Sequence, residues 1–206
     1  MQSEIVVLDP TDGSSRIVGR LPSRQQFILD GGDTKLLAPA HDAIRAAANN
    51  GFYWGTSDRY EIRFFNTGGT LRRILRRPVE SRPVLPAMIE QWIAEHLVRV
   101  RQREGEAAVS RYQQLYDQAS FADRLPLSQS AFVDGNERLW VGSSEWPQQQ
   151  AASRVWSIFE ANGTWLGDVT APAQLCIVDS RDDLVLGIWQ EDGEAPYVHV
   201  HRLLRP

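Results

Sequence analysis

Residues 43–77 read AIRAAANNGFYWGTSDRYEIRFFNTGGTLRRILRR, a pattern that recurs in other parts of the chain. Turn signals divide it at 49–51, 57–59 and 66–69; in the first and last of these, Asn and Gly tolerate the positive φ of tight hairpins. Apolar and polar residues alternate between the turns, most clearly over Tyr60–Phe65, as is typical of β-strands. The stretch therefore predicts four short antiparallel strands in a meander, about the size of one propeller blade.

Other parts of the chain match this unit. Leu139-Trp140-Val141-Gly142 matches Phe52-Tyr53-Trp54-Gly55, and Gly163 takes the place of Gly69. The first residues match the second half of the unit, and the last residues match its first three strands. We expect a single β-propeller fragment over 1–206, with a half blade at 3–20, a blade at 41–77, a helical insertion at 79–125, a blade at 127–169 and an incomplete last blade at 173–204.

The insertion has a different period. From Met88 to about Arg103, apolar residues recur every three or four positions, and a second such stretch runs from Glu106 to Ala119. Glu104-Gly105 is the expected joint between the two helices. The predicted fold class is thus all-β with a helical insertion: a partial antiparallel propeller of about three blades, with four-stranded meander blades and an α-helical hairpin near 86–119.

Composition narrows the function classes. The chain has 206 residues, 42% of them hydrophobic, and a net charge of −4, which argues against a nucleic-acid partner because phosphate binding favours a basic face. No stretch reaches the roughly 20 apolar residues of a membrane span. We expect no signal peptide at the N-terminus. A single cysteine, Cys176, excludes an internal disulfide, and its apolar neighbours predict that it is buried.

The repeated segments carry a family resemblance. Residues 58–77 and 138–169 resemble blades of bacterial six-bladed β-propeller proteins of NHL-like type, and residues 183–205 resemble their last blade. The resemblance implies the C-terminal half of such a propeller. It implies no particular activity, because propellers serve as enzymes, binding platforms and scaffolds. Longer relatives are often exported, and the compartment of this chain is left open.

The loop face is the expected ligand site. In a propeller, loops that enter the innermost strand share one face with loops that join the second and third strands. That face would also carry the helical insertion, either as a lid over a polar pocket or simply packed on the sheets. The candidate ligand-binding residues at the channel mouth are His41, Asp42, Ser128, Gln129 and Gln174. The alternative is that these residues are merely solvated.

No catalytic or metal-binding pattern is found in the sequence, and we expect no cofactor. His199 and His201 lie on one side of a strand, but zinc usually takes three or four protein ligands, and the nearest acids are Asp192 and Glu194. The arginine pairs at 72–73 and 76–77 indicate a solvated outer strand, with a phosphate-binding patch as the alternative. The sequence contains no Gly-rich phosphate loop, nucleophile elbow or Cys-x-x-Cys pair.

The leading expectation is a non-catalytic binding or scaffold module that contacts a protein or a small ligand near the insertion. The alternative is a metal-dependent hydrolase or lyase like the gluconolactonase-type propellers. Those enzymes need several carboxylates on the inner strands, and here Asp42, Asp134 and Asp179 merely flank them. About three blades do not close a ring, since propellers need about four to eight. A homodimer that completes the ring is therefore one expectation, and a marginally stable fragment is the other.

Overall fold

The structure is a computed structural model that describes residues 2–8, 11–23, 27–28, 34–35, 41–144, 152–191 and 195–204. Asp192 and Glu194, the acids nearest to His199 and His201 in the sequence, lie outside these described residues. Strands dominate, and two helices interrupt them. The strands are β1 Gln2–Leu8, β2 Ser15–Pro22, β3 Phe27–Ile28, β4 Thr34–Lys35, β5 Ala43–Ala48, β6 Gly51–Thr56, β7 Glu61–Asn66, β8 Leu71–Arg76, β9 Ser128–Val133, β10 Leu139–Ser143, β11 Ser153–Phe159, β12 Trp165–Pro172, β13 Leu175–Arg181, β14 Leu184–Trp189 and β15 Tyr197–Arg202.

The strands form antiparallel sheets whose order follows the chain. We call β1–β2 the N-terminal hairpin, β5–β8 sheet I, β9–β12 sheet II and β13–β15 sheet III; β3 and β4 form a separate two-stranded ladder. Each hydrogen-bonded neighbour within these sheets is also the next strand along the chain. Such meanders need only short turns, which the Asn and Gly residues of the sequence supply.

Sheets I and II pack face to face. Their shared core contains Ile44, Tyr53 and Ile62 from sheet I with Leu139 and Phe159 from sheet II. The first strands of the two sheets, β5 and β9, lie beside each other. Because successive side chains of a strand point to opposite faces, one face of each sheet is committed to this interface.

Sheet III packs on the other face of sheet II. Trp140 and Trp156 of sheet II meet Leu175, Ile177 and Val185 of sheet III in a second core. The prediction that Cys176 is buried was wrong, since this residue is exposed. It alternates with the buried Leu175 and Ile177 and so points to the uncovered side of sheet III.

The N-terminal hairpin lies against the remaining face of sheet I. The Trp54 indole Nε1 donates to the Pro22 carbonyl at 2.8 Å, and Arg16 Nη2 donates to the Thr67 carbonyl at 2.9 Å. Gly69, with φ +79°, approaches the hairpin so closely that a Cβ there would lie 2.4 Å from the Val18 carbonyl oxygen. Hairpin, sheet I, sheet II and sheet III are thus stacked in chain order.

The insertion is a pair of helices on a short neck. Helix α1 spans Pro86–Glu104 and α2 spans Glu106–Gln118, with Gly105 at φ +85° between them. They pack through an aromatic cluster in which Trp92 stacks on His96 and meets Tyr116 edge-on. The neck is closed by hydrogen bonds from Val84 N to Asp123 O and from Leu125 N to Arg82 O, each 2.9 Å. Neither helix has the length and apolar character that crossing a membrane requires, so far as the described residues go.

The predicted fold class is confirmed at its coarser level. The described chain is mostly β, its sheets are antiparallel, and two helices are inserted between sheets I and II.

Candidate functional site

The turn after β6 joins three segments at one end of the stack. Ser57 is buried; its backbone N donates to Asp42 O at 3.0 Å, and its hydroxyl accepts from Asp42 N at 2.9 Å. Its carbonyl accepts from Leu127 N at 2.7 Å. The entry to β5, the β6–β7 turn and the entry to β9 are therefore held side by side.

A cleft of 480 Å³ opens beside this turn, between sheet I and the end of the N-terminal hairpin. The Trp54 indole forms part of its wall and is fixed by its hydrogen bond to Pro22. Gly55 keeps β6 close to β7, since a Cβ there would lie 2.7 Å from Glu61 O. We call this the His41 cleft; its described lining is Leu21, Pro22, Ser23, His41, Trp54, Gly55, Thr56, Asp58, Arg59, Glu61 and Arg63.

The His41 cleft contains groups of both charges and one polar atom without a partner. Imidazole Nδ1 of His41 is buried and makes no hydrogen bond. Burial alone would raise the pKa of Asp58, but a hydrogen bond from Thr56 and the nearby Arg59 and His41 hold this pKa below its ordinary value. Asp58 is therefore an anion at neutral pH. A buried ring nitrogen without a partner costs stability, so a hydrogen bond to this atom would stabilise the structure.

A second cleft, of 520 Å³, adjoins the first and shares Asp58, Arg59 and Glu61 with it. Its far side is the neck of the helical insertion. We call this the arginine cleft; its described lining is Asp58, Arg59, Tyr60, Glu61, Arg76, Arg77, Val79, Glu80, Ser81, Arg124 and Leu127. Hydrogen bonds from Arg76 and Arg63 lower the pKa of Glu61, so its carboxylate is shared between two guanidinium groups.

The structure brings together some of the residues predicted at the channel mouth. His41 lines the first cleft; Asp42 follows it, and its carboxylate accepts from Ala43 N at 2.7 Å. Ser128 begins β9 next to the segment held by Ser57, but it is buried, whereas Gln129 is exposed. Gln174 is exposed at the entry to sheet III, where its carbonyl accepts from Gln190 N. The five residues thus lie at strand entries of three sheets, and His41 alone among them lines either cleft.

The acids that flank the inner strands hold turns in place. The Asp134 carboxylate is fully buried and accepts from Asn136 N, Arg138 N, Arg138 Nε and Trp140 Nε1 at 2.7–2.9 Å. Asp179 Oδ1 accepts from Ser180 N and from Gly135 N of the neighbouring sheet. Across the part of the chain that the structure describes, no three His, Cys, Asp or Glu side chains form a set that could hold a metal ion.

The two histidines of β15 contact each other. Nδ1 of His199 lies 3.2 Å from Nε2 of His201, and the His199 ring stacks on Trp189 with 5.4 Å between centroids. Their pairing is a contact within sheet III, away from both clefts.

Most residues of the two clefts carry no local sequence signal of a binding site. The β6–β7 turn is one of the loops expected on that face, but no pattern marks Arg59, Glu61 or Arg63 as site residues, and Trp54 stands out only as part of the repeat. They belong to strands or turns whose pattern indicates only a β-hairpin. Residues 21–23 line the His41 cleft because the N-terminal hairpin packs against sheet I. No local sequence pattern shows this packing.

Comparison of the chain with models of known protein families and with curated proteins gives no match.

Proposed function

We propose that the chain is a non-catalytic binding module, built as an arc of β-propeller blades, that binds a ligand on the loop face beside the helical insertion. The blade assignment is supported by the stacking of meander sheets in chain order, with the first strand of sheet II beside the first strands of sheets I and III. The likeness to six-bladed NHL-like propellers rests on the sequence segments given above.

The observation that carries the binding role is the His41 cleft. It is preformed, it has an aromatic wall, and it brings an unpartnered imidazole nitrogen near carboxylates and guanidinium groups. Small-molecule sites are typically concave, largely preformed and equipped with a few convergent polar groups. Its mixture of donors and acceptors favours a small polar ligand or a polar side chain of a partner protein.

A fragment screen tests this role. Ligand-observed NMR with a library of small polar fragments is run on the wild type, on Thr56→Trp, which fills the cleft, and on Thr164→Trp, the same change at an exposed turn of sheet II. We expect hits on the wild type and on Thr164→Trp that Thr56→Trp abolishes. Hits that survive in Thr56→Trp, or a screen without hits on the wild type, would refute the assignment.

We also propose that a second copy of the chain covers the apolar faces at the two ends of the stack. Sheet III exposes Leu184, Leu186, Ile188, Val198 and Val200 on one face, and the N-terminal hairpin exposes Val6, Leu8 and Ile17. Exposed apolar patches of this kind mark contact surfaces. Light scattering after size-exclusion chromatography is expected to give a mass above the 23.3 kDa of one chain, and a stable monomer would refute the proposal.

A further inference from the structure

The arginine cleft gathers guanidinium groups from three separate parts of the chain. Arg59 comes from the β6–β7 turn, Arg76 and Arg77 from the end of β8, and Arg124 from the neck of the insertion. In the described lining these four guanidinium groups face three carboxylates, those of Asp58, Glu61 and Glu80. The convergence arises from tertiary structure, because Arg59 and Arg124 lie far apart in the sequence.

Arg77 is neutralised by Asp168, and the other arginines of the cleft differ in how closely a carboxylate holds them. Glu61 is shared by Arg76 at 2.9 Å and Arg63 at 2.7 Å. Arg59 Nε reaches Asp58 at only 3.5 Å, the long limit of a hydrogen bond. Arg124 donates to a neutral acceptor, the Ser81 carbonyl, and none of the ion pairs among the described residues includes it.

Arg77 lines the cleft and is held by several contacts. Its guanidinium donates to both carboxylate oxygens of Asp168 and to the Ser157 hydroxyl, and it lies 4.4 Å from the Trp165 ring centroid. The fixed Arg77 anchors the end of β8, so the adjacent Arg76 is positioned on a rigid element. A site on rigid elements loses less entropy when it binds.

We propose that the arginine cleft binds an oxyanion, a phosphate or carboxylate group, through Arg59, Arg76 and Arg124. Guanidinium groups present paired N–H donors that match the oxygens of these anions. The proposal rests on the proposed binding role of this face and names the chemistry of the ligand that reaches its insertion side. An anion there would link the β6–β7 turn, sheet I and the neck of the insertion.

The test uses the full chain at low ionic strength, where charge interactions are least screened. Inorganic phosphate and citrate are titrated separately by calorimetry and thermal shift, with sodium chloride at matched ionic strength as the reference. We expect phosphate, citrate or both to bind the wild type. Phosphate alone identifies a phosphoryl ligand, citrate alone a carboxylate ligand, and both together a site selective only for oxyanions. Neither anion binding would overturn the proposal.

Three variants locate the site. Arg124→Gln and Arg59→Gln are each expected to weaken anion binding about tenfold, the loss of one charged hydrogen bond. Arg72→Gln, on the exposed face of β8 outside the cleft, is expected to bind as the wild type does. Arg59 lies outside the neck, so its variant keeps the test valid if Arg124→Gln disturbs the neck. Equal loss in Arg72→Gln, or a chloride response equal to that of the anions, would overturn the proposal. If the anion proposal fails in this way but Thr56→Trp still abolishes the fragment hits, the assignment of the His41 cleft as a ligand site is unaffected.

Discussion

Sheets II and III are built from similar strands, but they differ in how many of their faces are covered. In β10 of sheet II, the consecutive residues Leu139, Trp140 and Val141 are 0%, 0% and 1% exposed, because one face meets sheet I and the other meets sheet III. In β14 of sheet III, Val185 is 5% exposed, whereas Leu184 and Leu186 are 45% and 37% exposed. Strand β10 of sheet II is thus buried on both sides, whereas β14 of sheet III is buried on one side only.

The uncovered face of sheet III is nevertheless apolar. Antiparallel sheets that face water usually place polar residues there, which gives a clean alternation along each strand. Here Leu186 pairs with Val200, and Ile188 pairs with Val198, all four on the open side. The comparison therefore indicates that sheet III, like sheet II, is built to be covered on both faces.

The largest expected loss of stability comes from shortening a side chain in the core between sheets II and III. Trp140 is fully buried between sheets II and III, packs on Phe132 and Trp156, and donates its indole N–H to Asp134. Trp140→Ala should lower the free energy of unfolding by about 3–5 kcal/mol through lost burial and a residual cavity. In dilute, monomeric protein, Val198→Ala on the open face should change it by less than about 0.5 kcal/mol. Urea unfolding of both variants measures the difference, and similar losses would contradict the one-sided burial of sheet III.

The second-largest expected loss of stability comes from removing the ion pair between Arg77, at the end of sheet I, and Asp168 of sheet II. Arg77→Met removes the ion pair with Asp168 and leaves the buried Ser157 hydroxyl with one partner fewer, while the apolar stem can still lie on Trp165. We expect a loss of about 1–3 kcal/mol in unfolding free energy. Arg76→Met, its exposed neighbour paired with Glu61, should cost at most about 1 kcal/mol. Equal urea midpoints for the two variants would show that the Arg77 contact does not stabilise the interface.

The same contact predicts a dependence on pH. Burial alone would raise the pKa of Asp168, but hydrogen bonds from Ser157 and Arg77 outweigh it and lower this pKa below 3.8, its ordinary value. The carboxylate therefore stabilises the fold fully above pH 3.8, and this contribution is lost as the pH falls through the lowered folded pKa.

Urea midpoints at about pH 7, pH 5 and pH 3 compare the wild type with Asp168→Asn. The difference between the two proteins should be constant from about pH 7 to pH 5 and should shrink towards pH 3 and below. A difference that grows on acidification would assign the opposite sign to the shift.

The strands and helices were predictable because their signals are local. Asn66 and Gly69 mark a turn, Gly105 marks the break between the helices, and the recurrence of Trp-Gly at 54–55 with Val-Gly at 141–142 gives the repeat. Burial was less predictable where it depends on a neighbouring sheet. Cys176 lies in an apolar run that looks buried on both sides, and only the packing of sheet III shows that one side is open.

The end of the sheets at which His41 lies could be predicted from the sequence, but the residues that line the two clefts could not. The loop face and His41 follow from the order of strands in a meander, since alternate turns lie at the same end of a sheet. The clefts themselves combine Pro22, Trp54 and Arg63 in one case, and Arg76 and Arg124 in the other. The sequence offers the arginine pair at 76–77 as an alternative phosphate-binding patch, but the meeting of residues from the hairpin, sheet I and the neck depends on long-range packing that has no sequence signature.

Leu186→Lys is expected to have the smallest effect on stability and a large effect on association. Leu186→Lys places a charge in the middle of the open face of sheet III, where the side chain is already 37% exposed, so unfolding of the monomer should change little. If a second copy covers this face, the buried ammonium group would have no partner, and association should be lost. Leu166→Lys makes the same change at the exposed outer strand of sheet II and should leave association intact. Light scattering over a range of concentrations compares the two variants. A wild type that associates while both variants behave alike would place the contact elsewhere than on sheet III.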